Sequence, residues 1–224
     1  MEHNKATTKR YFHIIGLVMI VFFVISFITN ILNSIIVDVK GSFDLSLTLT
    51  GLLPFTFFIA YGIMSIPAGF LSERFSEKTL LSVSFLVMAI ASMGFALTPQ
   101  YSVFSITLFI LGCCMAVLQV IINPMLRVAG GEEHFAFNSV LAQLVFGAAS
   151  FLSPYLYKYL VDEEGTKGDA IAETLRSWVP DNLPWASLYI VFAAICLVLL
   201  CYVFFTKYPR FEKTEEERSV DRSS

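Results

Sequence analysis

Six long runs of this chain contain no Asp, Glu, Lys or Arg, and they restrict its fold more than any other feature. They are Ile14 to Val37, Leu45 to Ser72, Thr79 to Leu97, Tyr101 to Leu126, Phe135 to Tyr157 and Asn182 to Thr206. A hydrocarbon core about 30 Å thick is crossed by about 20 apolar residues in a helix, and every run is near or above that length. A charge at a helix centre costs roughly 2.5 to 3.5 kcal/mol on insertion, so the exclusion is what a spanning helix needs. Thr98-Pro99-Gln100 breaks the third run from the fourth, where the combined length is twice one helix. With 56% hydrophobic and 15% charged residues, the chain has more apolar surface than one soluble core could hide. The expected class is an all-α membrane protein of six transmembrane helices with the lipid bilayer as solvent.

The expected division is an N-terminal segment 1–13, a six-helix domain 14–206 and a charged tail 207–224. The first run is too long for a removable signal peptide and has no small-residue cleavage site, so it counts as a span. With the N-terminus inside, eleven basic residues are cytoplasmic (Lys5, Lys9, Arg10, Arg74, Lys78, Arg127, Lys207, Arg210, Lys213, Arg218 and Arg222). Lys40, Lys158, Lys167 and Arg176 lie outside. The bias puts both termini in the cytoplasm. The connection from Lys158 to Asp181 carries six acids against three bases and is read as an external cap with a short helix around Ala170 to Trp178.

Several function classes drop out. No basic aromatic surface suggests nucleic acid. Cys113, Cys114, Cys196 and Cys201 lie within spans without metal-ligand spacing and read as small buried apolar residues, so no metal and no cofactor are expected. There is no GxSG with an intramembrane His, no HExxH and no pair of carboxylates within a span, which argues against an enzyme. A channel would show a selectivity motif or charged ring, and none is visible. His3, His13 and His134 lie near ends or loops, and no Asp, Glu or His is placed within the six spans.

What remains is a small set of neutral amides at membrane depth. Asn30 and Asn33 are spaced i, i+3, and Gln119 and Asn123 are spaced i, i+4, so each pair shares one helical face. Such groups are costly in lipid unless they meet a partner or a water-filled cavity, and the residues alone leave both readings open. Amides offer donors and acceptors together, which suits a ligand rich in hydroxyls. Pro54, Pro67 and Pro154 read as kinks within spans and Pro124 as the end of the fourth. Most of the many aromatics read as lipid-facing or packed between helices, with Tyr61 as the candidate to stack on a ligand ring.

Between the second and third spans stands Gly69-Phe-Leu-Ser-Glu73-Arg74-Phe-Ser-Glu-Lys78. It resembles the signature loop of the major facilitator superfamily, with Glu for the usual Asp and Ser76 for the usual glycine. Gly69, Glu73, Arg74 and Lys78 are thereby expected to form a cytoplasmic gating loop, with Gly69 allowing close helix approach. Gln119-Val-Ile-Ile-Asn123-Pro124, Gly130-Gly-Glu132, Leu141-Ala-Gln143, Asn30-Ile-Leu-Asn33 and Ile66-Pro-Ala-Gly69 resemble the fucose permease branch of sugar transporters. The resemblance runs from about Phe12 to Pro209.

The resemblance implies one half of a transporter fold, built from two inverted three-helix repeats in a bacterial inner (plasma) membrane, for a sugar-like small-molecule solute. It makes the first and fourth spans counterparts, both carrying amide pairs, and so favours a shared cavity of Asn30, Asn33, Gln119, Asn123 and Gln143. Members that couple to protons have carboxylates where this chain has Asn33 (or Ser34) and Gln119, so no proton coupling through this half is expected. A complete cavity needs a second six-helix half or a homodimer, and the rival reading is a half-length protein that does not transport.

Overall fold

The computed structural model describes residues 11–162, 165 and 167–206. The tail 207–224, most of the segment 1–13 and the acidic pair Glu163 and Glu164 lie outside the described residues. The described chain is helical: α1 Phe12–Ser42, α2 Leu47–Arg74, α3 Glu77–Leu97, α4 Tyr101–Gly130, α5 Glu132–Val161, the short α6 Ala170–Arg176, a 3-10 turn Pro184–Ala186, and α7 Ser187–Phe205. Six of these elements, α6 excepted and the 3-10 turn joined to α7, are long and apolar enough to cross a membrane. The protein is a multi-pass membrane protein.

The connections are tight. Ser46 and Ser76 accept from the backbone N–H of Leu49 and Thr79, each at 3.2 Å, and so start α2 and α3. α4 passes into α5 through Gly131 alone, at φ 77°, a left-handed conformation that glycine adopts without a Cβ penalty. Two expectations about helix ends are corrected. α4 does not end at Pro124 but continues to Gly130, as membrane helices can when neighbours re-satisfy the freed carbonyl. α1 does not end with its apolar run at Val37 but continues to Ser42, which brings Asp38 and Lys40 into the helix. Helix length is set by backbone hydrogen bonding, whereas the run only marks where lipid-compatible side chains stop.

α1 packs on α5, α2 on α4 and α3 on α7. Exchanging first for fourth, second for fifth and third for sixth spanning helix turns the α1–α5 pair into the α4–α2 pair and leaves α3–α7 unchanged. That is the packing signature of two inverted repeats. Burial repeats it: residues 21–32 of α1 and 111–122 of α4 pass through the same order of buried and half-buried positions, and exposed Asn33 and Asn123 follow at equivalent places. α1 and α4 form the centre, while α2 and α5 leave most of their surface open. Gly112 of α4 sits against α2, where a Cβ would meet the carbonyl oxygen of Phe57 and, at 3.0 Å, the Cβ of Ala60.

Each end is tied. At the Ser42 end, Trp185 is buried among Phe43, Phe95 and Phe104, and its indole N–H donates to the Ser42 hydroxyl at 3.0 Å. At the Phe12 end, the Tyr11 N–H donates to the Ala129 carbonyl at 3.1 Å. Of the cysteines, Cys114 and Cys196 are buried and Cys113 is half-buried, while Cys201 is exposed on α7 and departs from the expected burial.

Candidate functional site

The one-residue turn at Gly131 makes depth readable. Gln119 precedes it and Gln143 follows it by the same number of residues, so both stand about 18 Å from that end. At this level the Tyr61 hydroxyl of α2 donates to Oε1 of Gln119 on α4 at 2.8 Å, and both residues are half-buried. The Gln119 amide nitrogen keeps its N–H donors, and the phenol oxygen keeps a lone pair. Asn123 is exposed one turn nearer Gly131, its amide donating to the Gln119 backbone carbonyl at 3.1 Å. Gln143 is exposed on α5. Tyr61 thus meets an amide by a hydrogen bond in this structure.

Asn30 belongs to another level. Its Nδ2 donates to the Ser26 carbonyl at 2.8 Å and to the Ser150 hydroxyl of α5 at 2.8 Å. Ser26 in turn donates to the Phe146 carbonyl at 2.6 Å and lies 2.8 Å from the Ser150 hydroxyl. Ser150 is two turns beyond Gln143, which places Asn30 about 10 Å from the Gln119 level, and Asn33, exposed, farther still. The structure therefore brings Tyr61, Gln119 and Asn123 together, sets Gln143 at the same depth on α5, and places Asn30 and Asn33 at another level. Inverted repeats require this: residues at equivalent places on antiparallel helices move apart in depth as they leave the midplane.

The loop residues separate as well. Gly69 faces open space rather than a neighbouring helix, and Glu73 and Arg74 are exposed. Lys78 donates to the Phe204 carbonyl at 2.7 Å and the Thr206 carbonyl at 3.1 Å, a cation closing the C-terminal end of α7. Arg127 lies 4.0 Å from Glu132, both exposed, so the pair counts for little.

Sequence reasoning missed Asp38, Ser26, Ser150 and Tyr157. The Tyr157 hydroxyl donates to Asp38, so a half-buried carboxylate does lie within a spanning helix, contrary to expectation. The i, i+4 series Ser26, Asn30, Ser34, Asp38 was the available signal, obscured because the apolar run stops at Val37.

A glucose/galactose transporter of Brucella abortus is 30% identical over 176 residues, 77% of this chain and 43% of the relative. An L-fucose-proton symporter of Escherichia coli is 24% identical over 227 residues, 95% of this chain and 51% of the relative. The chain spans about half the length of these relatives. The crystal structure of the transporter FucP in the outward conformation superposes with a TM-score of 0.67 at 21% identity, covering 94% of this chain and 55% of that one, and shares the fold. The Major Facilitator Superfamily profile matches residues 18–223, and the chain belongs to that family.

Proposed function

We propose that the chain forms one wall of a transport path for a neutral, polyhydroxylated solute of the sugar class, with Tyr61, Gln119, Asn123 and Gln143 as the contact group. The Tyr61–Gln119 hydrogen bond carries this reading, because it holds an amide at membrane depth with N–H donors left for a solute. Relatives named as glucose/galactose and L-fucose transporters support the solute class. Asn30 and Asn33 form an upper contact, with Asn30 engaged chiefly in holding α1 to α5. Gly69, Glu73, Arg74 and Lys78 line one rim, with Lys78 fixing α7.

In this reading the protein sits in a bacterial inner membrane with both termini cytoplasmic, and the six-helix unit is 14–206 between the terminal segments. The second wall comes from another six-helix half or a second copy, seated where α2 and α5 expose Phe55, Phe58, Ile66, Leu144 and Phe151. No proton exchange runs through Asn33, Ser34 or Gln119, since none titrates. The test is equilibrium binding of radiolabelled D-glucose, D-galactose and L-fucose to membranes containing the chain. Gln119→Ala and Tyr61→Phe are expected to weaken binding about five- to tenfold, as loss of one or two hydrogen bonds does. Unchanged binding in Gln119→Ala would remove this site.

A further inference from the structure

Three polar rungs lie in line on α5 at two-turn intervals: Gln143, Ser150 and Tyr157. α1 presents Ser26, Asn30, Ser34 and Asp38 one turn apart on the facing side. Ser150 meets Ser26 and Asn30, and Tyr157 meets Asp38. Ser34 stands between these contacts, one turn from Asn30 and one from Asp38. Asn30, Ser34, Asp38, Ser150 and Tyr157 are all half-buried and Gln143 is exposed, so the seam is open along one edge. It climbs about 20 Å from the Gln119 and Gln143 level to the Asp38–Tyr157 pair, one turn short of the Ser42 end.

Polar side chains at this depth are costly unless they are paired or hydrated. Packing alone does not demand so many, because the equivalent α2–α4 seam closes on Gly112 with the Tyr61–Gln119 hydrogen bond and a long contact from the Cys113 thiol to the Ala60 carbonyl. We propose that the α1–α5 seam is a hydrated groove by which water and small polyhydroxylated solutes reach the Gln119 level from the Ser42 side, and that the Asp38–Tyr157 hydrogen bond is its gate. The opposite flank of that end is fixed, since Trp185 holds Ser42. Opening therefore falls to Tyr157, whose phenol leaves the carboxylate and uncovers Ser34.

The groove rests on the assignment of the Gln119 level as the solute site, but its test needs no solute. In membrane vesicles holding the full chain, Ser34→Cys and Ser150→Cys are modified with a small water-soluble methanethiosulfonate reagent, and the rate is read on the peptide carrying each new cysteine. Reagent supplied from the side bearing the 158–187 connection is expected to modify Ser34→Cys about tenfold faster when combined with Tyr157→Phe, the upper end of what loss of one hydrogen bond gives. Ser150→Cys follows in the same direction. Val37→Cys, on the exposed flank of α1, keeps its rate in both backgrounds. Equal Ser34→Cys rates with and without Tyr157→Phe would overturn the gate, and so would a matching rise at Val37→Cys, which signals a loosened helix. Either result leaves the Gln119→Ala binding experiment standing.

Discussion

The α1–α5 and α2–α4 seams are equivalent under the internal repeat, yet they are closed by different chemistry. The α2–α4 seam relies on backbone proximity, with Gly112 against Phe57 and Ala60. The α1–α5 seam relies on hydroxyls, an amide and a carboxylate, from Ser26 to Tyr157. Helices in lipid gain little from apolar burial against one another, so close packing of small residues and interhelical hydrogen bonds are the available substitutes. The α2–α4 seam combines the close approach at Gly112 with the Tyr61–Gln119 bond, whereas the α1–α5 seam carries a longer series of polar contacts. A close-packed seam has little room to change, whereas a hydrogen-bonded seam can exchange partners with water.

The largest effect is therefore expected at Gly112. Gly112→Leu drives a side chain into the Phe57 carbonyl, and overpacking of this kind costs about 1 to 3 kcal/mol or more. Size-exclusion profiles and thermal midpoints in detergent should show loss of the monodisperse species, with Gly112→Ala intermediate. A Gly112→Leu protein with the parental midpoint would mean that the α2–α4 seam is not closed by backbone proximity.

The α1–α5 seam should respond more gently. Interhelical hydrogen bonds within membranes average about 0.6 kcal/mol, so Asn30→Ala and Ser150→Ala are each expected to lower stability by about that much. Because they share one bond, a double-mutant cycle should return a coupling of similar size. Zero coupling would leave the seam held by shape rather than by its hydrogen bonds.

Comparing these seams shows what the sequence could and could not reveal. The six spans were legible because charge exclusion is enforced by the solvent itself, and the internal repeat followed from resemblance. The seam chemistry was not. Twelve glycines are present, and nothing local distinguishes Gly112, which meets a neighbour, from Gly69, which does not. Asn30 was visible as a polar group at depth, but its role turns on Ser150, 120 positions away, whose hydroxyl carries no signal of its own. Asp38 was hidden by treating the end of apolarity as the end of the helix. Gln119 and Tyr61 were each noticed, yet their pairing depends on how α2 crosses α4.

At the opposite end of the bundle from the Asp38 clamp, Lys78 offers a smaller test. Its ammonium closes the last carbonyls of α7, an arrangement worth about 0.3 to 1 kcal/mol. Lys78→Met is expected to lower the thermal midpoint by about a degree or two and to raise amide exchange in the last turn of α7, leaving both seams unaffected. If exchange rose in α1 or α5 instead, the two ends would be coupled through the bundle and the seams would not be independent.

The smallest effect sharpens the picture of α5 as the polar partner. Its final turns carry three phenols, two of which meet carboxyl groups: Tyr157 donates to Asp38 on α1, and Tyr159 donates to Asp169 at 2.7 Å, the residue that caps α6. The Asp169 carboxyl is held below its usual range, first by the Tyr159 phenol, then by the backbone N–H groups of Ala172 and Ile171. A carboxyl whose folded value is depressed contributes its full stabilisation above the ordinary value of about 4 and loses it as pH falls through the folded value. Asp169 is half-buried as a residue but its carboxyl is open to solvent, which screens the effect and keeps the change local to α6. Protection of the Ile171 and Ala172 amides, measured by hydrogen exchange against the intrinsic rate at each pH, should decline below about pH 4. Asp169→Asn keeps a capping oxygen but cannot titrate, so its protection should be flat across the same range. Parallel curves for the two proteins would show that α6 is held by its packing on α5 and α7, and that the polar chemistry of α5 ends at Tyr157.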